Sequence, residues 1–130
     1  MNILVVEDEA MVSWMIVDML EERGHSVVGP APTVNVALEL ISQNRIDCAL
    51  LDVNLGGSET AYPIADRLDA LGKPYAIVSG YTADMIGDLS TPLLEKPFNS
   101  KEFDAILDIL IAKTTKTNIP QGVANNEPRV

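Results

Sequence analysis

The residues of this chain that are best suited to chemistry are polar side chains that stand at the ends of short apolar segments. Five residues share this placement: Glu7, Asp8, Asp52, Ser79 and Lys96. Apolar, β-prone segments of this length are typical of buried strands in a parallel sheet. Ligands of such sheets bind beyond the carboxyl ends of the strands, so we expect the five side chains to meet at one site.

Three carboxylates in one pocket restrict what the site can bind. Like charges a few ångströms apart raise each other's pKa or require a cation. Glu7, Asp8 and Asp52 offer only oxygen ligands, which suits a hard ion, and Mg²⁺ fits best. Lys96 adds a point charge suited to a phosphoryl group, and Ser79 adds a hydroxyl donor. Phosphoryl transfer needs these components, and an aspartate can itself be the nucleophile.

The composition of the chain excludes several other functions. Its 130 residues include nineteen acids and nine bases, a net charge of −10. Residues 1–112 hold eighteen of the acids and six of the bases, a net −12, so we expect no direct binding to nucleic acid. No apolar run approaches the ~18 residues of a membrane span, and the start lacks the basic segment of a secretory signal. We therefore expect a cytoplasmic protein that does not bind membranes.

Three further features of the sequence exclude particular kinds of metal site, disulfide and phosphoryl donor. Cys48 is the only cysteine, which excludes an internal disulfide and a Cys-based zinc site, and we expect it to be a small core residue. His25 is the only histidine, which excludes a multi-histidine metal site. The chain has no P-loop pattern, so a nucleotide is not expected as the direct phosphoryl donor.

Strands and helices are predicted to alternate along the chain. Apolar runs predict strands at 3–6, 27–28, 48–51, 75–78 and 92–95. Apolar residues at helical spacing predict helices before Gly24, after Thr33, from about Thr60 to Gly72 and from Ser100, with a weaker one at 82–88. The alternation predicts an α/β fold with helices on both faces of a parallel sheet. The pattern ends before Lys113, so we expect one domain over 1–112 and a flexible tail, with a net charge of +2, over 113–130.

Four short motifs, in this order, resemble the receiver domain of two-component response regulators: Glu7-Asp8, Leu50-Leu51-Asp52, Val78-Ser79-Gly80 and Glu95-Lys96-Pro97-Phe98. The resemblance covers residues 2–112 and implies a doubly wound five-stranded parallel sheet of flavodoxin-like order 2-1-3-4-5. Residues 52–57 and 74–81 are similar to a subgroup with a Pro-Phe-x-x-x-Thr/Ser-Gly-Tyr signature. Members of that subgroup are often partnered with atypical sensor histidine kinases.

The resemblance implies a phosphorylation site with bound Mg²⁺. Asp52 would accept a phosphoryl group from the phosphohistidine of a sensor histidine kinase or a phosphotransfer protein. Asp8 and Asp52 would ligate Mg²⁺ directly, together with the backbone carbonyl of Asn54. Glu7 would act on the metal mainly through water.

The resemblance also implies how phosphorylation is sensed. Ser79 would hydrogen-bond the phosphoryl group, Lys96 would pair with it, and the Lys96–Pro97 bond would be cis. The family usually has an aromatic switch residue three positions before the lysine, where this chain has Leu93. Tyr81 is a candidate to replace that aromatic residue.

These features predict a signalling switch, activated by phosphorylation, that acts on a downstream protein whose identity the sequence does not give. It would catalyse only its own phosphorylation and dephosphorylation. An Mg²⁺-dependent phosphohydrolase is a second hypothesis, but such enzymes usually have an acid two residues after the nucleophile, where this chain has Asn54. A degenerate receiver that binds constitutively is a third. The complete set of site residues argues against it, although Leu93 favours it.

Trp14 lies off the main apolar stripe of the first predicted helix. The first helix of receiver domains often docks on the kinase, so an exposed aromatic residue there could be a docking anchor. Alternatively, Trp14 packs against the last helix. The sequence leaves both interpretations open.

Overall fold

The computed structural model of the protein describes residues 1–55, 60–80 and 91–118. Its strands are β1 (Asn2–Val6), β2 (Ser26–Ala31), β3 (Cys48–Asp52), β4 (Tyr75–Ser79) and β5 (Leu93–Glu95). Its helices are α1 (Ala10–Glu22), α2 (Val34–Gln43), α3 (Tyr62–Ala70) and α4 (Ser100–Asn118). The short helix predicted at 82–88 lies outside the described residues.

The described strands form one parallel sheet of order β2-β1-β3-β4-β5. This confirms the predicted doubly wound α/β fold. The order reverses at β1, so β1 and β3 are neighbours although β2 lies between them in the chain. In such a sheet the crevice for ligands opens beyond the carboxyl ends of the strands on either side of the reversal.

Helices cover both faces of the sheet, and each face has its own buried cluster. Alternate strand residues point to opposite faces. One face packs on α1 and α4 through Ile3, Val5, Cys48, Leu50, Ala76, Val78, Ile16, Leu20, Phe103, Leu107 and Leu110. The other face packs on α2 and α3 through Leu4, Val6, Ala49, Leu51, Ile77, Ala37, Ile41, Ile64, Ala65 and Leu68. Cys48 is fully buried, which confirms that it is a core residue.

Strand β2 is longer than the sequence predicts. The apolar run predicts a strand at 27–28 that stops at Gly29, but β2 continues through Gly29 and Pro30 to Ala31. The Gly29–Pro30 bond is cis, and the register with β1 shifts between Leu4 and Val6. An edge strand tolerates proline and glycine at such an irregularity, because fewer of its backbone groups are needed for pairing.

Helix α4 is also longer than predicted. The helical pattern predicts an end before Lys113, but α4 continues to Asn118. Thr114 extends the buried face one turn beyond Leu110, and its Oγ1 donates a hydrogen bond to the Leu110 carbonyl at 2.8 Å. A threonine hydroxyl that donates to a carbonyl of its own helix no longer offers the backbone an alternative to helical hydrogen bonds. The helix therefore extends past the predicted boundary, and residues 119–130 of the predicted tail lie outside the described residues.

Candidate functional site

The carboxyl ends of β1 and β3 bring the predicted acidic residues together. Carboxylate oxygens of Glu7, Asp8 and Asp52 all lie within 4.8 Å of one another. Glu7 and Asp52 are buried, whereas Asp8 is exposed. Glu7 follows β1 directly and its N–H donates to the Ala31 carbonyl at 3.0 Å, so the irregular end of β2 helps to fix its position.

Lys96 lies at the centre of this acidic cluster. Its Nζ is 2.9 Å from Glu7 Oε1, 3.0 Å from Glu9 Oε1 and 3.3 Å from Asp52 Oδ2. The Lys96 N–H donates to the Ser79 carbonyl at 2.7 Å, which holds the residue at the end of β4. The Lys96–Pro97 bond is cis, as predicted.

The remaining predicted residues lie around the same edge of the sheet. Ser79 ends β4 and is 1% exposed. The Asn54 N–H donates to Asp52 Oδ1 at 3.3 Å, and Asn54 also forms an isolated antiparallel β-bridge with Thr60. Leu93 is half-buried and packs against the α2 and α3 side of the core. Tyr81 lies outside the described residues, so its predicted switch role stays a prediction.

Glu9 is a site residue that the sequence reasoning missed. Its carboxylate contacts Lys96, while its own N–H donates to Glu7 Oε2 at 3.1 Å. The signal was present in the sequence, because three consecutive acids, 7–9, follow β1. Of these acids Glu7 and Glu9 contact Lys96, and the run alone does not show which of the three turn inward.

Burial and neighbouring charges shift the pKa values of Glu7 and Lys96. Burial, followed by its contact with Asp52, raises the pKa of Glu7 to about 7 from an ordinary value of 4.5. Burial alone would lower the pKa of Lys96, but the contacts with Glu7, Glu9 and Asp52 outweigh burial and raise it. The shift of Glu7 therefore comes chiefly from burial, and that of Lys96 from its carboxylate partners.

The donor set fits a hard divalent cation. Glu7, Asp8 and Asp52 supply only oxygen ligands, the type that Mg²⁺ and Ca²⁺ take. Glu7 Oε1 is buried and has no aligned hydrogen-bond donor among the described residues, so its ion pair with Lys96 is its main compensation. The excess of negative charge that remains would favour a bound cation.

In metal-free protein, Glu7 should make stability fall as the pH rises towards neutrality. Between about pH 4.5 and 7 the folded state keeps a proton that the unfolded state has lost. We therefore expect the Glu7 contribution to be fully present below about pH 4.5. It should be lost as the pH rises through about 7, a decrease in the free energy of unfolding on the order of 3 kcal/mol.

Urea unfolding in EDTA at several pH values measures this contribution. Glu7→Gln keeps a neutral polar side chain of the same size and should remove this part of the pH dependence. An identical pH profile in Glu7→Gln and the wild type would contradict the assignment.

Residues 3–108 match the response regulator receiver domain family. The chain therefore belongs to the response regulator receiver domains, modules of two-component signal transduction that act as phosphorylation switches. Within the residues that the structure describes, no helix has both the length and the apolar character to cross a membrane.

Individual relatives agree with this assignment. SdrG from Sphingomonas melonis Fr1 superposes with a TM-score of 0.75 at 36% identity, over 85% of this chain and 95% of SdrG. It has also been determined in a BeF3-activated conformation. PhyR from Brucella abortus superposes with a TM-score of 0.79 at 25% identity, over 95% of this chain and 51% of PhyR. The two-component response regulator PhoP from Pseudomonas aeruginosa is 30% identical over 88% of this chain and 53% of PhoP. The chain spans about half the length of the curated relatives that it matches.

Proposed function

We propose that this chain is a signalling switch that accepts a phosphoryl group on Asp52 from a sensor histidine kinase or a histidine phosphotransfer protein. The observation that carries this proposal is the placement of Lys96. Its ammonium lies between Asp52 and Glu7, at the carboxyl ends of the two central strands. A cation held 3.3 Å from an aspartate can stabilise the charge of a phosphoryl group transferred to that aspartate.

The transfer itself needs few protein groups. An Asp52 carboxylate oxygen attacks the phosphorus of the donor phosphohistidine, the P–N bond breaks and the imidazole takes up a proton. Lys96 then pairs with the new phosphoryl oxygens, and the Ser79 hydroxyl hydrogen-bonds to one of them. We assign Asp52, Ser79 and Lys96 to the reacting centre on these grounds.

Glu7, Asp8, Asp52 and the Asn54 carbonyl would hold Mg²⁺ in this site. When bound, Mg²⁺ would neutralise charge on the phosphoryl oxygens. The carboxylates of Glu7, Asp8 and Asp52 lie within 4.8 Å of one another and supply the oxygen ligands for such an ion. The exposed Asp8 stands at the open side of the cluster, where an ion from solution can enter.

Signalling would then occur by contact with a downstream protein. One structurally similar protein, PhyR from Bartonella quintana, is an anti-anti-sigma factor. An anti-anti-sigma factor acts by binding another protein, which supports an output of this kind. A cytoplasmic location, predicted from the sequence, belongs to this proposal.

Incubation with Mg²⁺ and acetyl phosphate, followed by intact mass at successive times, tests the function. A single phosphoryl adduct that decays slowly supports the switch. Rapid release of phosphate over many turnovers would show a phosphohydrolase instead. Absence of an adduct in the presence of saturating Mg²⁺ would favour a degenerate receiver that binds constitutively.

Trp14 is proposed to anchor the kinase or phosphotransfer protein. Its side chain is 80% exposed, so it does not pack against the last helix. It lies beside Met11 and Met15 in a surface groove of α1 that Asp18 also lines. Three adjacent exposed apolar side chains on one helix are suited to the core of an interface, and the acidic residue favours a basic partner.

We expect Trp14→Ala to slow transfer from a phosphotransfer protein by roughly tenfold or more, the effect of losing an aromatic hot spot. Labelling by acetyl phosphate should be unchanged, because the reacting residues remain in place. Tyr62→Ala on α3 is the matched control, since Tyr62 is also an exposed aromatic residue and lies on the other face of the sheet. Equal transfer rates in Trp14→Ala and Tyr62→Ala would exclude the anchor.

A further inference from the structure

Glu9 contacts the central lysine of the site, yet the proposed chemistry gives it no part. Its Oε1 lies 3.0 Å from Lys96 Nζ, about as close as the buried Glu7 at 2.9 Å. The Glu9 N–H donates to Glu7 Oε2 at 3.1 Å, which ties the backbone of Glu9 to the site. The side chain of Glu9 is 62% exposed, whereas that of Glu7 is 1% exposed.

Three carboxylates hold the ammonium of Lys96, two through hydrogen bonds and Glu7 through an ion pair. An ammonium has three N–H donors. Three different carboxylates lie within ion-pair distance of Lys96 Nζ: Glu7, Glu9 and Asp52. A phosphoryl group on Asp52 therefore has to draw Lys96 towards itself against the attraction of the partners that stay in place.

Exposure decides which contact can be exchanged. Release of Glu7 would leave a buried carboxylate without its cation, which is costly. The contact with Asp52 would be replaced by one to the attached phosphoryl group, so the contacts that hold the ammonium back are those with Glu7 and Glu9. Release of Glu9 costs least, because water can solvate a carboxylate that is 62% exposed.

We propose that Glu9 is a positioning residue that holds Lys96 in the unphosphorylated protein and releases it when a phosphoryl group reaches Asp52. The inference rests on the proposed function for the role of Asp52. It adds that Glu9 opposes activation, because each contact between Lys96 and Glu9 competes with the contact that the phosphoryl group needs. Removal of the Glu9 carboxylate should therefore make the activated state easier to reach.

Binding of BeF3, the group present in activated SdrG, measures this competition without a chemical step. At saturating Mg²⁺, Glu9→Gln should bind BeF3 roughly two- to fivefold more tightly than the wild type, the range expected for an exposed ion pair. Glu9→Asp keeps the charge but is one methylene too short to keep the contact, so it should behave like Glu9→Gln. Glu95→Gln is the matched control, because it removes an equal charge directly before Lys96 in the chain. Glu95 is not among the three partners of Lys96, so this variant should bind BeF3 like the wild type.

Two results would overturn the role of Glu9. Unchanged BeF3 affinity in Glu9→Gln would show that the contact does not restrain Lys96. The second result is a raised BeF3 affinity in Glu9→Gln together with an unchanged BeF3 affinity in Glu9→Asp. It would show that the charge at position 9 matters in general and that the specific contact with Lys96 does not.

The ¹⁵N resonance of Lys96 Nζ in the metal-free protein separates this inference from the proposed function. If the wild type binds no BeF3, the proposed function fails. If the ¹⁵N chemical shift of Lys96 Nζ changes in Glu9→Gln and Glu9→Asp, but not in Glu95→Gln, the positioning contact is still supported. A shift unchanged in all three variants would overturn it.

Discussion

Asp52→Asn is expected to take up no phosphoryl group from acetyl phosphate, a loss of at least about a hundredfold in labelling rate. An amide is a far weaker nucleophile than a carboxylate, and the substitution also removes one of the three acids of the cluster. The fold should survive, because asparagine has nearly the same shape and can still accept the hydrogen bond from the Asn54 N–H. Intact mass after incubation with acetyl phosphate and Mg²⁺ gives the result directly.

Asp47→Asn is the matched control for this substitution. Asp47 is another buried aspartate and directly precedes β3, so it lies at the opposite end of the strand from Asp52. Its carboxylate accepts the Asn2 N–H at 2.8 Å, which an asparagine oxygen can also do. Labelling should therefore persist in Asp47→Asn. Labelling that persists at the wild-type rate in Asp52→Asn would refute the nucleophile assignment.

Gly29→Ala is expected to destabilise the protein by about 3 kcal/mol. Gly29 has a φ of +100°, and an added Cβ would lie 2.8 Å from both the Ala31 nitrogen and the Val5 carbonyl oxygen. Both are backbone atoms, so relieving the clash requires β2 to move away from Val5 of β1 and to distort its own backbone at Ala31. Because the Ala31 carbonyl accepts the Glu7 N–H, this movement should also weaken Mg²⁺ binding.

Gly24→Ala separates the clash from the backbone strain. Gly24 has a φ of +82°, but an added Cβ there would have no atom within 4 Å. It should therefore cost only the strain of a positive φ, about 1 kcal/mol, and leave Mg²⁺ affinity unchanged. Urea unfolding gives the two stability losses, and equal losses in Gly24→Ala and Gly29→Ala would show that the contact with β1 is unimportant.

The central part of the fold and of the site was predictable, because both depend on patterns that are local in the sequence. Apolar runs that end in a polar residue mark parallel strands and their carboxyl ends at once. For this reason the positions of Asp52 and Lys96 followed from the same observation as the sheet itself. The proximity of the Glu7, Asp8 and Asp52 carboxylates, within 4.8 Å, agrees with that expectation.

The predictions were less accurate where a local preference was outweighed by a distant or unusual contact. Gly29 and Pro30 favour a strand end, but pairing with β1 extends β2 through them. Thr114 favours a loop, but its hydroxyl bonds inside α4 and its side chain is buried. The contact between Glu9 and Lys96 was not predictable, because 87 residues separate them in the chain. The sequence also does not show which of the acids at 7–9 turn inward.

Chemical location of the phosphoryl group tests the central claim most directly. Borohydride reduces an acyl phosphate to an alcohol, so treatment of the labelled wild-type protein marks the phosphorylated carboxylate for peptide mass mapping. We expect a single reduced residue, at position 52. A mark at Asp8 or at another carboxylate, or a phosphoryl group retained on His25, would contradict it.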